Sequence, residues 1–284
     1  MCGRFAVTTD PAQLAEKITA IDEATGCGGG KTSYNVAPTD TIATVVSRHS
    51  EPDDVPTRRV RLMRWGLIPS WIKAGPGGAP DAKGPPLINA RADKVATSPA
   101  FRSAVRSKRC LVPMDGWYEW RVDPDATPGR PNAKTPFFLH RHDGAQLFTA
   151  GLWSVWKSNR SAPPLLSCTV ITTDAVGELA EIHDRMPLLL AEEDWDDWLN
   201  PDAPPDPELL ARPPDVRDIA LRQVSTLVNN VRNNGPELLE PARSQPEQIQ
   251  LLCGSVPTRV TLRRIQARFL AAPLRSPGAR GRFA

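Results

Sequence analysis

The 284-residue chain has no cysteines at metal-binding spacing. Its five cysteines stand at positions 2, 27, 110, 168 and 253, with no CxxC pair and no Cys/His cluster, so neither a zinc site nor a disulfide framework is expected and no cofactor is called for. Long apolar runs are missing too. The longest uncharged stretches, over 144–156 and 161–173, fall short of the roughly 18 residues a membrane span needs, so no membrane partner is expected. Near the start of the chain, Asp10 and Glu16 stand where a signal peptide would carry its apolar core, which makes the cytoplasm the expected location. Gly and Pro together make up about 17% of the chain, below the ~25% at which disorder becomes the default. A folded chain with Pro-rich loops follows.

The net charge of +3 hides an uneven distribution. Residues 254–284 carry seven Arg, no Lys and no acid, which leaves the other 253 residues with 28 basic against 32 acidic groups. Overall charge therefore gives no argument for nucleic-acid binding, which has to come from a local site.

Apolar, β-branched runs bounded by Gly, Pro and Asp predict strands over 4–8, 41–47, 60–65, 110–114, 116–120, 136–141, 146–153, 166–172 and 185–190. Helices are fewer. Asp10-Pro11 and Ser98-Pro99 each read as an N-cap followed by Pro in the first turn, and 194–199 is a short helical candidate. Short strands without regularly interleaved helices predict an α+β fold with a largely antiparallel, barrel-like sheet. Loops are expected over 26–31, 74–86, 123–134 and 201–214 from their Gly/Pro content. One domain to about residue 240 and an Arg-rich extension over 241–284, with a basic helix over 260–270, complete the expected organisation; a monomer is expected.

The most suggestive single residue is Cys2. Removal of Met1 leaves a free 1,2-aminothiol whose amine titrates at about 8 and thiol at about 8.5, so both nucleophiles are available near neutrality. An aldehyde would form an imine with the amine, and the thiol would close on it to give a five-membered thiazolidine. Met1-Cys2-Gly3 also opens glutamine amidotransferases with an N-terminal cysteine nucleophile, so these residues alone leave the chemistry open.

Further motifs lie along the chain in order: Met1-Cys2-Gly3-Arg4-Phe5, Tyr34-Asn35-Val36-Ala37-Pro38-Thr39, Arg64-Trp65-Gly66-Leu67-Ile68-Pro69, Ile88-Asn89-Ala90-Arg91-Ala92, Gly116-Trp117-Tyr118-Glu119-Trp120, Ile182-His183-Asp184-Arg185-Met186-Pro187 and Val228-Asn229-Asn230-Val231-Arg232. Taken together they resemble the SOS response-associated peptidase (SRAP) family. The resemblance implies covalent capture of abasic sites in single-stranded DNA through Cys2, with weak lyase and autopeptidase activity in reach. It implies a pocket of Cys2, Asn89, Glu119 and His183. Arg4, Asn35, Pro38, Trp71, Arg91, Trp120, Thr172 and Arg185 are the implied DNA contacts. Glu119 among aromatic residues should have a raised pKa suited to proton transfer, and His183 titrates near neutrality. Asn89 can orient the sugar or the amine. The arginines can grip phosphates, or pair with Asp93 and Asp184 instead. Two other readings stay open: a peptidase or amidohydrolase using Cys2, and a noncovalent nucleic-acid-binding module.

Overall fold

Alternation of apolar and polar residues drives most of the chain into strands. The computed structural model describes residues 2–28, 32–122 and 134–242. The elements run β1 (Arg4–Val7), α1 (Pro11–Lys17), β2 (Ile21–Asp22), β3 (Ser33–Val36), β4 (Thr41–Arg48), β5 (Thr57–Trp65), β6 (Asn89–Arg91), α2 (Ala104–Ser107), β7 (Arg109–Met114), β8 (Gly116–Val122) and β9 (Lys134–Arg141). Then follow β10 (Leu147–Trp156), β11 (Leu165–Asp174), β12 (Arg185–Pro187), α3 (Trp195–Leu199), α4 (Pro207–Ala211) and β13 (Ile219–Gln223). The fold is mostly β with a few short helices, as the residue pattern predicts.

The strands form two sheets. The first is antiparallel throughout, in the order β13-β9-β8-β1-β3. The second runs β12-β11-β10-β7-β4-β5-β2, and an extra β11–β5 pairing closes five of its strands, β11, β10, β7, β4 and β5, into a barrel. Alternating direction around a closed ring needs an even number of strands, so a five-stranded ring must contain a parallel pair. That pair is β11–β5, with Ser167 opposite Arg64 and Cys168 opposite Trp65. Beyond this closure β11 also takes β6 in parallel, setting Val170 opposite Asn89 and Thr172 opposite Arg91.

Period-two alternation sorts the side chains. On β7, Cys110, Val112 and Met114 pack in one cluster with Phe5, Val36 and Trp117 of the first sheet, while Leu111 faces the other way, toward Leu14, Val105, Trp195 and Trp198 of the helices. Arg109 is buried there with no acid paired to it among the described residues. It donates to the carbonyls of Val105, Arg106, Trp198, Asn200 and Ala203, which ties the C-terminal ends of α2 and α3 together. On the far face of the first sheet Tyr118 and Phe138 pack with Val224, Val228 and Leu238, so Trp117 and Tyr118 go to opposite faces as alternation requires.

Some local expectations need correction. Asp10 caps α1 as expected, its carboxylate accepting from Ala12 N at 2.8 Å. Ser98-Pro99 starts only turns, and the helix comes later, at Ala104–Ser107. The expected loop over 201–214 holds α4, capped by Asp206 before Pro207, the same Asp-Pro signal as at α1. The expected strand over 185–190 ends at Pro187, with Leu189 making only an isolated bridge to Thr149. The strands β2, β3, β6 and β13 were not legible, because each is short and owes its conformation to a neighbouring strand. The extension over 241–284, apart from its first two residues, and most of the loops over 26–31 and 123–134 lie outside the described residues. Among the described residues no helix is long and apolar enough to cross a membrane.

Candidate functional site

Cys2 is fully buried just before β1, where the ladder to β8 stops at the Arg4–Tyr118 pair. Its thiol is pushed well above the ordinary value, first by burial and then by the Glu119 carboxylate. The thiol is therefore protonated at neutral pH. Asn89 reaches Cys2 from the second sheet: its Nδ2 donates to the Cys2 carbonyl at 2.8 Å. The other half of that amide, Oδ1, is buried with no hydrogen-bond partner among the described residues, leaving an acceptor beside Cys2.

Glu119 lies on β8 opposite Phe137 and is only 3% exposed. Burial raises its carboxyl to about 7, and the negative charge of Asp184 works in the same direction. A carboxyl at that value is half protonated near neutrality, which suits it to give and take a proton. His183 precedes β12. Its Nδ1 lies 3.0 Å from the Arg185 N–H and 2.7 Å from Asp184 Oδ1. An unprotonated Nδ1 accepts the Arg185 N–H, and a protonated one donates to Asp184, so the two neighbours favour different protonation states of this nitrogen. Burial lowers the imidazole pKa and favours the neutral form.

The arginines differ in their availability. Arg91 is exposed and forks onto Asp93 through Nε at 2.9 Å and Nη2 at 3.1 Å. Arg185 is buried, paired with Asp174 directly across the β11–β12 ladder and donating to the Thr172 carbonyl. Thr172 itself is fully buried. Arg4 donates to Asn35 Oδ1 at 2.7 Å and the Val228 carbonyl at 3.0 Å. Asn35, 3% exposed, turns its Nδ2 to the carbonyls of Val228, Asn230 and Asn233. Trp120 donates Nε1–H to Asn229 Oδ1 at 2.7 Å. Pro38 is half-buried in the turn where Thr39 takes a φ of 80°, a strained value for a β-branched residue. Trp71, 64% exposed, lines a separate cavity of about 540 Å³ with Ile68, Ile72, Pro80 and Leu87.

The structure thus gathers Cys2, Asn89 and Glu119 at one point, with Arg91, Thr172 and Arg185 along β6, β11 and β12 and His183 just ahead of β12. Arg4, Asn35 and Trp120 meet instead on the 228–233 loop. Two partners were not anticipated. Asp174 pairs with Arg185 through strand register, and Asn229 holds Trp120; only the Asn-rich motif containing Asn229 marks its loop in the sequence. Among the described residues no three His, Cys, Asp or Glu side chains converge as a metal site.

The sequence profile described as "SOS response associated peptidase (SRAP)" matches residues 1–231. The chain is 38% identical over 244 residues to "Abasic site processing protein YoqW" of Bacillus subtilis (strain 168), spanning 84% of this chain and 99% of that protein. It is 30% identical over 286 residues to "Abasic site processing protein HMCES" of Gallus gallus, spanning 90% of this chain and 82% of that one. A crystallised protein from Bacteroides thetaiotaomicron shares the fold, with a TM-score of 0.69 at 22% identity over 85% of this chain and all of that one.

Proposed function

This chain belongs to the SOS response-associated peptidase family, and from that premise we propose that it captures abasic sites in single-stranded DNA covalently through Cys2. The relatives' names describe abasic site processing. The observation that carries the reading is the meeting, at Cys2, of the Asn89 amide and a Glu119 carboxyl held at about 7.

The chemistry needs a primary amine on Cys2, so the Met1–Cys2 peptide bond is first hydrolysed, by the protein itself or by an aminopeptidase. The abasic deoxyribose is mainly a cyclic hemiacetal. Opening it takes a proton from the C1′ hydroxyl and delivers one to the ring oxygen, a task within reach of the neutral His183 imidazole. The Cys2 amine then adds to the C1′ aldehyde. Glu119 accepts a proton from nitrogen and returns one to the departing hydroxyl, which leaves as water to give the imine. The Cys2 S–H adds across the C=N bond, sulfur to carbon and proton to nitrogen, closing a thiazolidine with net loss of one water. The same imine permits loss of a C2′ proton and elimination of the 3′ phosphate, a weak lyase activity. Arg91, the exposed one of Arg4, Arg91 and Arg185, is the leading phosphate contact, and Trp71 offers its face to bases. The seven Arg of residues 254–284 add nonspecific phosphate contacts.

A denaturing gel of protein incubated with single-stranded DNA holding one abasic site tests this. Chains starting at Cys2 give a heat-stable shifted band, and chains retaining Met1 do not. Cys2→Ala keeps an imine that borohydride traps but loses the heat-stable band. An adduct mapped to an internal lysine, or full activity with Met1 retained, overturns the reading.

A further inference from the structure

Asn35 and Arg4 have already committed their polar groups within the chain. The Asn35 carboxamide is buried; its oxygen takes the Arg4 guanidinium, and its two N–H groups face the carbonyls of Val228, Asn230 and Asn233 at 3.3, 3.1 and 2.9 Å. Arg4 adds the Val228 carbonyl and, at 3.5 Å, that of Asn229. A phosphate or base could be bound by Asn35 only by giving up these bonds, each of which would leave a carbonyl without its donor.

The loop held this way touches three adjacent strands of the first sheet. Arg4 anchors it to β1, Asn35 to β3, and the Trp120 indole, through Asn229, to β8. Asn234 adds a second tie to β3, its Oδ1 accepting the Tyr34 N–H at 2.6 Å. Two of these strands, β1 and β8, lie at Cys2 and Glu119. Cys2 is two residues before Arg4 on the β1 side, and Glu119 immediately precedes Trp120 on β8. A tie spanning β1 and β8 from outside braces the end of the ladder, at Arg4–Tyr118, beyond which Cys2 and Glu119 lie.

We propose that Asn35 is a positioning residue: by binding the 228–233 loop to β1, β3 and β8 it sets the Cys2 amine against Glu119, and it does not contact DNA. This rests on the covalent-capture reading above. The discriminating change is Asn35→Asp. It keeps the size of the side chain and an oxygen for Arg4, but turns a carboxylate oxygen toward three carbonyl oxygens in place of the NH₂.

The experiment measures three quantities on chains starting at Cys2: the single-turnover crosslinking rate at saturating abasic DNA, the Kd for the same strand lacking the lesion, and amide hydrogen exchange over 228–233. For Asn35→Asp the expected result is faster exchange in that loop and a rate at saturation lower by about ten-fold or more, as misplacement of reacting groups predicts, with Kd held within about two-fold. Asn229→Ala, an exposed change that cuts only the link to Trp120, lowers the rate in the same direction by less and covers the case in which Asn35→Asp does not fold. A raised Kd with the saturating rate intact makes Asn35 a DNA contact and overturns the proposal. So does an unchanged rate, whether or not exchange accelerates. Wild type that forms no adduct overturns the capture reading itself, a result distinct from either.

Discussion

The Asn89 side-chain amide donates to the Cys2 backbone carbonyl at 2.8 Å, across the gap between the two sheets. The residue before β1 is thereby fixed relative to β6, and so to β11, which carries Thr172. The contact orients the amino end of Cys2 while leaving Asn89 Oδ1 as an acceptor for the amine or a sugar hydroxyl. Asn89→Ala removes both functions. At about 1 kcal/mol per neutral hydrogen bond the expected loss is about five-fold in crosslinking rate for one bond and about 25-fold for two. Asn89→Asp sets a carboxylate against the Cys2 carbonyl and should be slower still. Single-turnover gels of the three proteins decide this: equal rates would remove Asn89 from the site.

Glu119 makes a prediction about stability. Its folded-state pKa, about 7, lies above the unfolded value of 4.5, so the native state holds this proton more tightly than the unfolded chain does. The sign follows: stability falls as pH rises from about 4.5 to about 7, and the full cost, about 3 kcal/mol, is present above that range. Glu119→Gln removes the titration. The variant should gain stability over wild type at pH 8 and lose that advantage at pH 4, while its imine trapping is depressed. Urea unfolding of both proteins at the two pH values measures the difference, and an advantage independent of pH would show that Glu119 is not held protonated by burial.

Much of this was legible from residue patterns, and the failures have a common physical origin. The longer strands announced themselves through alternation, and the set Cys2, Asn89, Glu119 and His183 came from motifs rather than from any one residue. Long-range pairing was not visible: nothing near residue 166 shows that β11 takes β5, β6, β10 and β12 as partners and so closes the barrel. The acid nearest Arg185 in sequence is Asp184, whereas strand register supplies Asp174. Asn35 and Arg91 look equally polar in sequence; one is buried and bonded on all sides and the other is exposed. Asp206-Pro207 carried a helix signal that its Pro-rich surroundings masked.

Arg91 and Arg185 flank the same strand and should behave differently. Arg91 is exposed and its tie to Asp93 is a surface pair of the kind worth little. Arg91→Ala should leave the thermal midpoint unchanged, weaken DNA binding and lower the slope of log K against log salt by about 1. Arg185 is buried between Thr172 and Asp174. Arg185→Ala leaves the Thr172 carbonyl without this donor and, with the Asp174 carboxylate exposed to solvent, should cost about 1–3 kcal/mol of stability. Salt titrations and thermal melts of both variants separate the roles; a flattened salt slope for a fully folded Arg185→Ala protein would make it a phosphate contact as well.

His183 offers the sharpest kinetic test of the proposed chemistry. Its Nδ1 lies 3.0 Å from the Arg185 nitrogen and 2.7 Å from Asp184 Oδ1, and burial lowers the imidazole pKa, which favours the neutral form. Opening the hemiacetal requires proton transfer at the ring oxygen. Release of a finished adduct runs the same steps backwards, through the same imine, so a group that lowers the barrier in one direction lowers it in the other. His183→Ala should therefore slow both formation and release by about 100-fold, the lower end for loss of a general acid-base group, with little change in the Kd for intact single strands. Glu119→Gln should instead depress imine trapping most, since its carboxyl serves the nitrogen. Preformed adducts chased with excess unlabelled abasic DNA give the release rate directly. If His183→Ala adducts dissociate as fast as wild type, the imidazole takes no part in the shared step and serves only the structure ahead of β12.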